Sequence, residues 1–170
     1  MTDFERFWAS QKELASEPAW KQRDRFESVR LVSAIDIDGI TQEGFYFSAN
    51  AQVYLPDSSV TFQIEYHPIR NRQLAGPIFR FDWRPRAPHN NKGVGPVEYR
   101  FHQIVGSHLH DFELNWDPEK QAMKKGNLPI AVPVSDALDS YQSALDFVEK
   151  KFRIKGVGNL PAPPWTKKLI

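Results

Sequence analysis

The stretch GFYFSANAQVYL (44–55) alternates without a break. Phe45, Phe47, Ala49, Ala51, Val53 and Leu55 fall on one face of an extended chain, and Tyr46, Ser48, Asn50, Gln52 and Tyr54 on the other. A period of two held this long admits a β-strand buried on one side and little else. The same period returns at 60–67 (VTFQIEYH), with Phe62, Ile64 and Tyr66 inward and Gln63, Glu65 and His67 outward. It returns again at 76–85 (GPIFRFDWRP), with Phe79, Phe81 and Trp83 inward and Ile78, Arg80, Asp82 and Arg84 outward. A β-branched run at 25–37 ends at Asp38-Gly39, a turn pair, and PDSS (56–59) forms the next turn. Strands at 97–105 and 107–116, joined into one bent strand or a hairpin near Gly106, complete a meander of five to six strands.

Helices bracket the strands. Over 2–14, Thr2 and Glu5 form a capping box, and Phe4, Phe7, Trp8 and Leu14 share a helical face. Near the other end Leu138, Tyr141, Leu145, Val148 and Phe152 recur at i, i+3, i+7, i+10 and i+14, with Ser135 or Asp136 as cap and Gly156 as terminator. The expected fold is α+β: an antiparallel β meander with an N-terminal and a C-terminal helix covering one face. Residues 1–156 form one domain, and the Pro-rich 157–170 runs as a tail on the surface. Twelve Phe and five Trp supply the large side chains that one core of this size needs.

Composition excludes several functions. The absence of Cys removes disulfides, thiolate catalysis and Cys-based zinc sites, and fits a reducing cytosol. No run reaches the ~18 apolar residues that span a bilayer, so a soluble, cytoplasmic protein with no membrane partner is expected. A net charge of +1 gives no whole-molecule attraction to an acidic partner. Walker, dinucleotide-binding, zincin and nucleophile-elbow motifs are all missing.

Against that neutral background one segment stands out. All five histidines (His67, His89, His102, His108, His110) lie between 67 and 110. Residues 70–110 hold seven basic side chains, Arg70, Arg72, Arg80, Arg84, Arg86, Lys92 and Arg100, against Asp82 and Glu98, a balance of +5. In GSHLH (106–110) His108 and His110 share a strand face, as do Arg80 and Asp82 on the strand before. Three chemistries fit. His108 and His110 could coordinate a divalent metal, with Asp82 or His89 completing the site. They could exchange protons in phosphodiester cleavage, with Arg80, Arg84 or Arg100 holding the phosphate and Asp82 orienting a ring. Or they are surface residues and cross-strand partners with no chemistry at all.

The order of parts RFD (80–82), PHNNKG (88–93), GSHLH (106–110), LPIAVP (128–133) and SALDFVEKKFRI (143–154) resembles a family of small uncharacterised bacterial and phage proteins, a domain of unknown function. That family has an Arg-x-Asp strand, a Pro-His with nearby Asn and Gly, a Ser/Thr-His-x-His, an Ala-Pro-type strand and a C-terminal helix. A fainter likeness runs to toxin–antitoxin toxins. The resemblance covers just under half the chain. The stretch between His110 and Leu128 is longer and more charged here, and the first 75 residues have no counterpart. It implies a small intracellular protein in a defence or toxin setting, and it groups Arg80, Asp82, His89, His108 and His110. The expected function is a toxin-like nuclease or phosphoesterase working with no cofactor or with one divalent metal. The rival is a non-catalytic module (an antitoxin, inhibitor or adaptor) that docks protein or nucleic acid through the exposed sheet, using Tyr46, Tyr54 and Trp116. The tail with Trp165 is a second docking candidate, though it reads first as a surface strap held by that one aromatic.

Overall fold

Alternation decides the centre of the fold, and short unpatterned pieces extend it. A computed structural model describes residues 3–23, 27–70 and 74–166. Thr2, the first residues of the 25–37 strand, Arg72 and the last four positions of the tail lie outside the described residues. The chain runs through α1 (Asp3–Ala9), β1 (Lys12–Leu14), β2 (Lys21–Gln22), β3 (Ser28–Ile37), β4 (Ile40–Gln52), β5 (Val60–Tyr66) and β6 (Gly76–Trp83). It continues with β7 (His89–Asn90), β8 (Gln103–Ile104), β9 (His108–His110), α2 (Phe112–Asn115), β10 (Trp116–Asp117) and β11 (Ala122–Met123). Last come β12 (Val132–Pro133), α3 (Tyr141–Phe152) and β13 (Ile154–Lys155).

β3 to β6 form the expected antiparallel meander. The sheet is wider than five to six strands: nine strands run β12-β9-β6-β5-β4-β3-β1-β13, with β2 also on β3. It is mixed, because β1 and β13 pair in parallel. The added strands are two or three residues long, too short to carry a period.

Several expected elements change. The helix expected over 2–14 stops at Ala9, and 12–14 becomes β1. Lys12 makes that stop. It is 1% exposed and its Nζ donates to the carbonyls of Phe7, Trp8 and Ser10 at 3.2, 3.2 and 2.7 Å, closing the open end of the helix. The 97–105 strand is instead a 3-10 turn at Val97–Tyr99 followed by β8. The 107–116 strand keeps only 108–110, because Asp111 accepts from the Glu113 N–H and opens α2. α3 starts later than a cap at Ser135 or Asp136 would give. Ser140 and Ser143 form its capping box, and Arg153, left-handed at φ 54, rather than Gly156, ends it. The polar 117–127 loop contains the β10–β11 pair.

Inward-facing rings meet both main helices. Phe152 and Phe147 of α3 lie 4.3 and 4.7 Å from Phe79 and Phe81, and Phe7 and Trp8 of α1 lie 3.9 and 4.5 Å from Phe45 and Phe79. Val157 and Leu160 of the tail are buried in the same core, and Trp165 packs edge-on against Tyr141. The opposite side of the sheet is polar. Register places Arg30, Asn50, Thr61, Asp82 and His108 in one row across β3, β4, β5, β6 and β9, and Val32, Ser48, Gln63, Arg80 and His110 in the next.

Candidate metal centre

β9 is the origin of the site. It pairs with β6 so that His110 faces Arg80 and His108 faces Asp82, while Leu109 turns into the core. β7 then brings His89 over the same corner, its ring centroid 4.6 Å from that of His110 and 5.5 Å from that of His108. One ring nitrogen from each of His89, His108 and His110 lies within 4.8 Å of the others. His110 is 0% and His108 3% exposed, and His89 is half-buried.

Backbone carbonyls fix each ring. His110 Nδ1 lies 2.7 Å from the Leu128 oxygen, His108 Nδ1 2.9 Å from the Gly106 oxygen, and His89 Nε2 3.0 Å from the Pro129 oxygen. A carbonyl only accepts, so each of these nitrogens carries the hydrogen and the other keeps a lone pair when the ring is neutral. His108 Nε2 and His110 Nε2 both point at Asp82 Oδ2, 3.3 Å from each. Lone pairs and a carboxylate thus converge on one spot, an arrangement that calls for a cation.

Arg80 supplies one. Its Nη2 donates to His110 Nε2 at 2.7 Å and its Nε to Asp82 Oδ2 at 3.0 Å. Among the described residues no cation stands in the same way between His108 Nε2 and Asp82. Burial, reinforced by the charge of Arg80, brings His110 down to about 4 in spite of its contact with Asp82, so its ring is neutral near pH 7. Burial also lowers His89, with the charges of His108 and Arg80 adding to it. Burial by itself would raise Asp82. The facing histidines, the charge of Arg80 and the Thr61 hydroxyl at 2.5 Å outweigh it and hold the carboxyl far below its usual range.

Two of the carbonyls that orient the rings, those of Leu128 and Pro129, follow a backbone under strain. Gly126, Asn127 and Leu128 all have positive φ, at 107, 59 and 60°. Two buried asparagines hold this turn. Asn115 donates to the Ile130 oxygen at 2.8 Å and accepts from the Ile130 N–H at 2.9 Å. Asn91 does the same for Ala131, at 3.0 and 2.9 Å. Neither is marked by a sequence pattern: Asn91 reads as loop composition and Asn115 as part of a strand. Their only signal is a pair of asparagines flanking the histidine motifs. Asn115→Ala strands two buried backbone groups, so thermal or denaturant unfolding should show a loss of about 3 kcal/mol.

Other expected site residues are elsewhere. Arg84 reaches away from the cluster, donating to the Asp57 and Asp139 carbonyls and lying over Trp83. Arg100 donates to the Gly95 oxygen and lines a cleft of about 960 Å3 that touches the cluster through His89. Gly95 is required in that cleft wall, since at φ +84 a Cβ would lie 2.6 Å from Ile130 Cγ2. His67 binds Glu65, and His102 is exposed. Trp116, expected as a docking aromatic, is buried against Phe112 instead, and Trp165 is half-buried and edge-on to Tyr141, as a tail strapped down by one aromatic requires. No helix among the described residues is long and apolar enough to cross a membrane.

The chain matches no protein-family model, no curated protein and no solved structure. Its chemistry has to come from these atoms.

Proposed function

We propose that this protein is a metal-dependent hydrolase, with one divalent transition metal held by His89, His108 and His110 and with Asp82 beside it. The observation that carries this reading is the paired use of each ring: one nitrogen tied to a backbone carbonyl, the rings converging within 4.8 Å. Such second contacts orient metal-binding imidazoles and fix their tautomers. A zinc ion at ~2.0–2.1 Å from tetrahedral nitrogens keeps them about 3.4 Å apart, so the rings draw in by about an ångström. Nitrogen donors with a carboxylate suit zinc and its neighbours.

This differs from a proton-exchanging His108–His110 pair. Both rings are shut away from a substrate, and both Nδ1 hydrogens are committed to carbonyls. The nuclease or phosphoesterase chemistry expected from the sequence is kept; a metal held there would supply an activated water. His89 is the ligand that also lines the cleft.

Arg80 competes with the metal, because its guanidinium occupies the His110 lone pair and half of the Asp82 charge. Its side chain is 16% exposed, so it is not sealed in as His108 and His110 are. Titration of zinc into the chelator-treated protein should show one equivalent bound. Arg80→Ala should bind it about tenfold more tightly, since Asp82 is then left without its cation. Zinc-dependent cleavage of chromogenic esters, lost on chelation, should accompany it. Failure of the wild-type chain to bind any transition metal would remove the reading.

A further inference from the structure

The cleft beside His89 carries a charge imbalance that the metal centre does not explain. Lys92, Arg100, Lys124 and Lys125 line it, against Glu113 as its carboxylate. Among the described residues none of these four cations forms an ion pair. Arg30 and Arg80, by contrast, are each committed to a buried carboxylate. Arg100 is anchored from behind, with Nε and Nη2 donating to the Gly95 oxygen at 3.1 and 2.8 Å, which leaves Nη1 for a ligand. Lys124 Nζ spends one hydrogen on the Leu114 oxygen at 2.7 Å and keeps two. Between the charges the wall is apolar, made by Val94, Leu114, Pro129 and Ile130. A volume of about 960 Å3 takes a ligand up to the size of a nucleotide.

We propose that this cleft binds an organic phosphate ester, its phosphate among the cations near His89 and its organic body on the apolar wall. Several unpaired cations call for more than one negative charge. A phosphate monoester brings nearly two at neutral pH and three strong acceptor oxygens, which arginine and lysine both match. The apolar wall explains why the ligand is an ester of an organic alcohol rather than free phosphate. What becomes of the ligand rests on the metal-centred reading above, since His89 belongs both to the cleft and to the residues that would hold the metal. Binding itself needs no metal.

The test is calorimetric titration of phenyl phosphate into the full chain in the presence of chelator, with inorganic phosphate and benzoate as comparisons. Phenyl phosphate should bind about tenfold more tightly than either, the first margin coming from the buried ring and the second from charge. The double variant Lys124→Ala/Lys125→Ala should weaken it by at least about tenfold. Both side chains are exposed, so the fold should survive, which circular dichroism checks. Lys92→Ala gives an independent second variant with the same expected direction. No binding by the wild-type chain, equal binding of benzoate, or unchanged affinity in both variants would overturn the proposal. Adding zinc then separates the two readings. Phenyl phosphate bound but never cleaved keeps the cleft assignment and removes the hydrolase. Zinc bound with no affinity for phenyl phosphate keeps the metal centre and removes the cleft assignment.

Discussion

His110→Ala is expected to abolish stoichiometric metal binding and to weaken the fold at the same time. The ring is fully buried and makes three contacts that matter: Nδ1–H to the Leu128 oxygen, Nε2 to Arg80, and Nε2 toward Asp82. Changing groups that merely orient a ligand costs ~10–100-fold in metal affinity, so losing a ligand itself should cost at least about 100-fold. The metal-free protein should lose about 2–4 kcal/mol, from the cavity and from the Leu128 carbonyl left unpaired against a strained turn. His102→Ala is the control, since that ring is exposed and bonds only the Glu98 oxygen. Elemental analysis and chemical denaturation of both variants give the result. A His110→Ala protein that still holds a full equivalent of zinc at wild-type affinity would place the metal elsewhere.

The sheet that carries this site was legible because its strands are long and half-buried. Alternation at 44–55, 60–67 and 76–85 gave the faces and most of the strand positions, although β4 starts earlier, at Ile40, and ends at Gln52 with 53–55 in a turn; Phe79, Phe81 and Trp83 do turn inward while Arg80 and Asp82 turn out. Ile78 departs from that pattern. The bulge in the β5–β6 pairing at Ile64/Glu65 leaves it without a partner, and it is buried. The same face arithmetic put His108 and His110 on one strand face and Arg80 and Asp82 on another; the β6–β9 pairing is what sets them side by side. Three things were out of reach. The turn at 126–131 is positioned by side-chain amides of Asn91 and Asn115, contacts 15 to 40 residues apart in the chain that no local pattern encodes. Burial of His108 and His110 depends on β7 and the 126–131 turn, which bring His89 and the Leu128 carbonyl onto a face that looks solvated from the strand alone. The fate of Arg84 follows from the left-handed turn that begins at Arg84 itself, at φ 46, just past the end of β6.

Glu65 is expected to give the protein an acid-sensitive limb that has nothing to do with metal. It sits on the same polar face, two strands in from β9, with its side chain 7% exposed. Burial alone pushes this carboxyl up. Hydrogen bonds from Ser48, His67 and Gln63 and the charge of Arg30 outweigh burial and bring it from 4.5 down to about 2. Arg30 Nη2 approaches at 2.5 Å, Gln63 Nε2 and His67 Nε2 at 2.6 Å, so the carboxylate ties β3, β4 and β5 together. In the unfolded chain Glu65 takes up its proton near pH 4.5, whereas in the folded chain it resists down to about 2. Stability from this group is therefore fully present above pH 4.5 and drains away as the pH falls from there toward 2. The interval corresponds to about 3 kcal/mol by linkage, and solvent at the His67 edge reduces it to about 2. Denaturant unfolding of the chelator-treated protein between about pH 7 and 3 should show the decline, and Glu65→Gln should remove about 2 kcal/mol near pH 7 and make the limb below 4.5 shallower, leaving the share that Asp82 supplies. His67 is half-exposed and contributes only one of the four contacts, so His67→Ala should keep most of the limb. An unchanged acid limb in Glu65→Gln would mean that the carboxylate bridging these strands adds no net stability. The polar face would then owe its order to the meander beneath it.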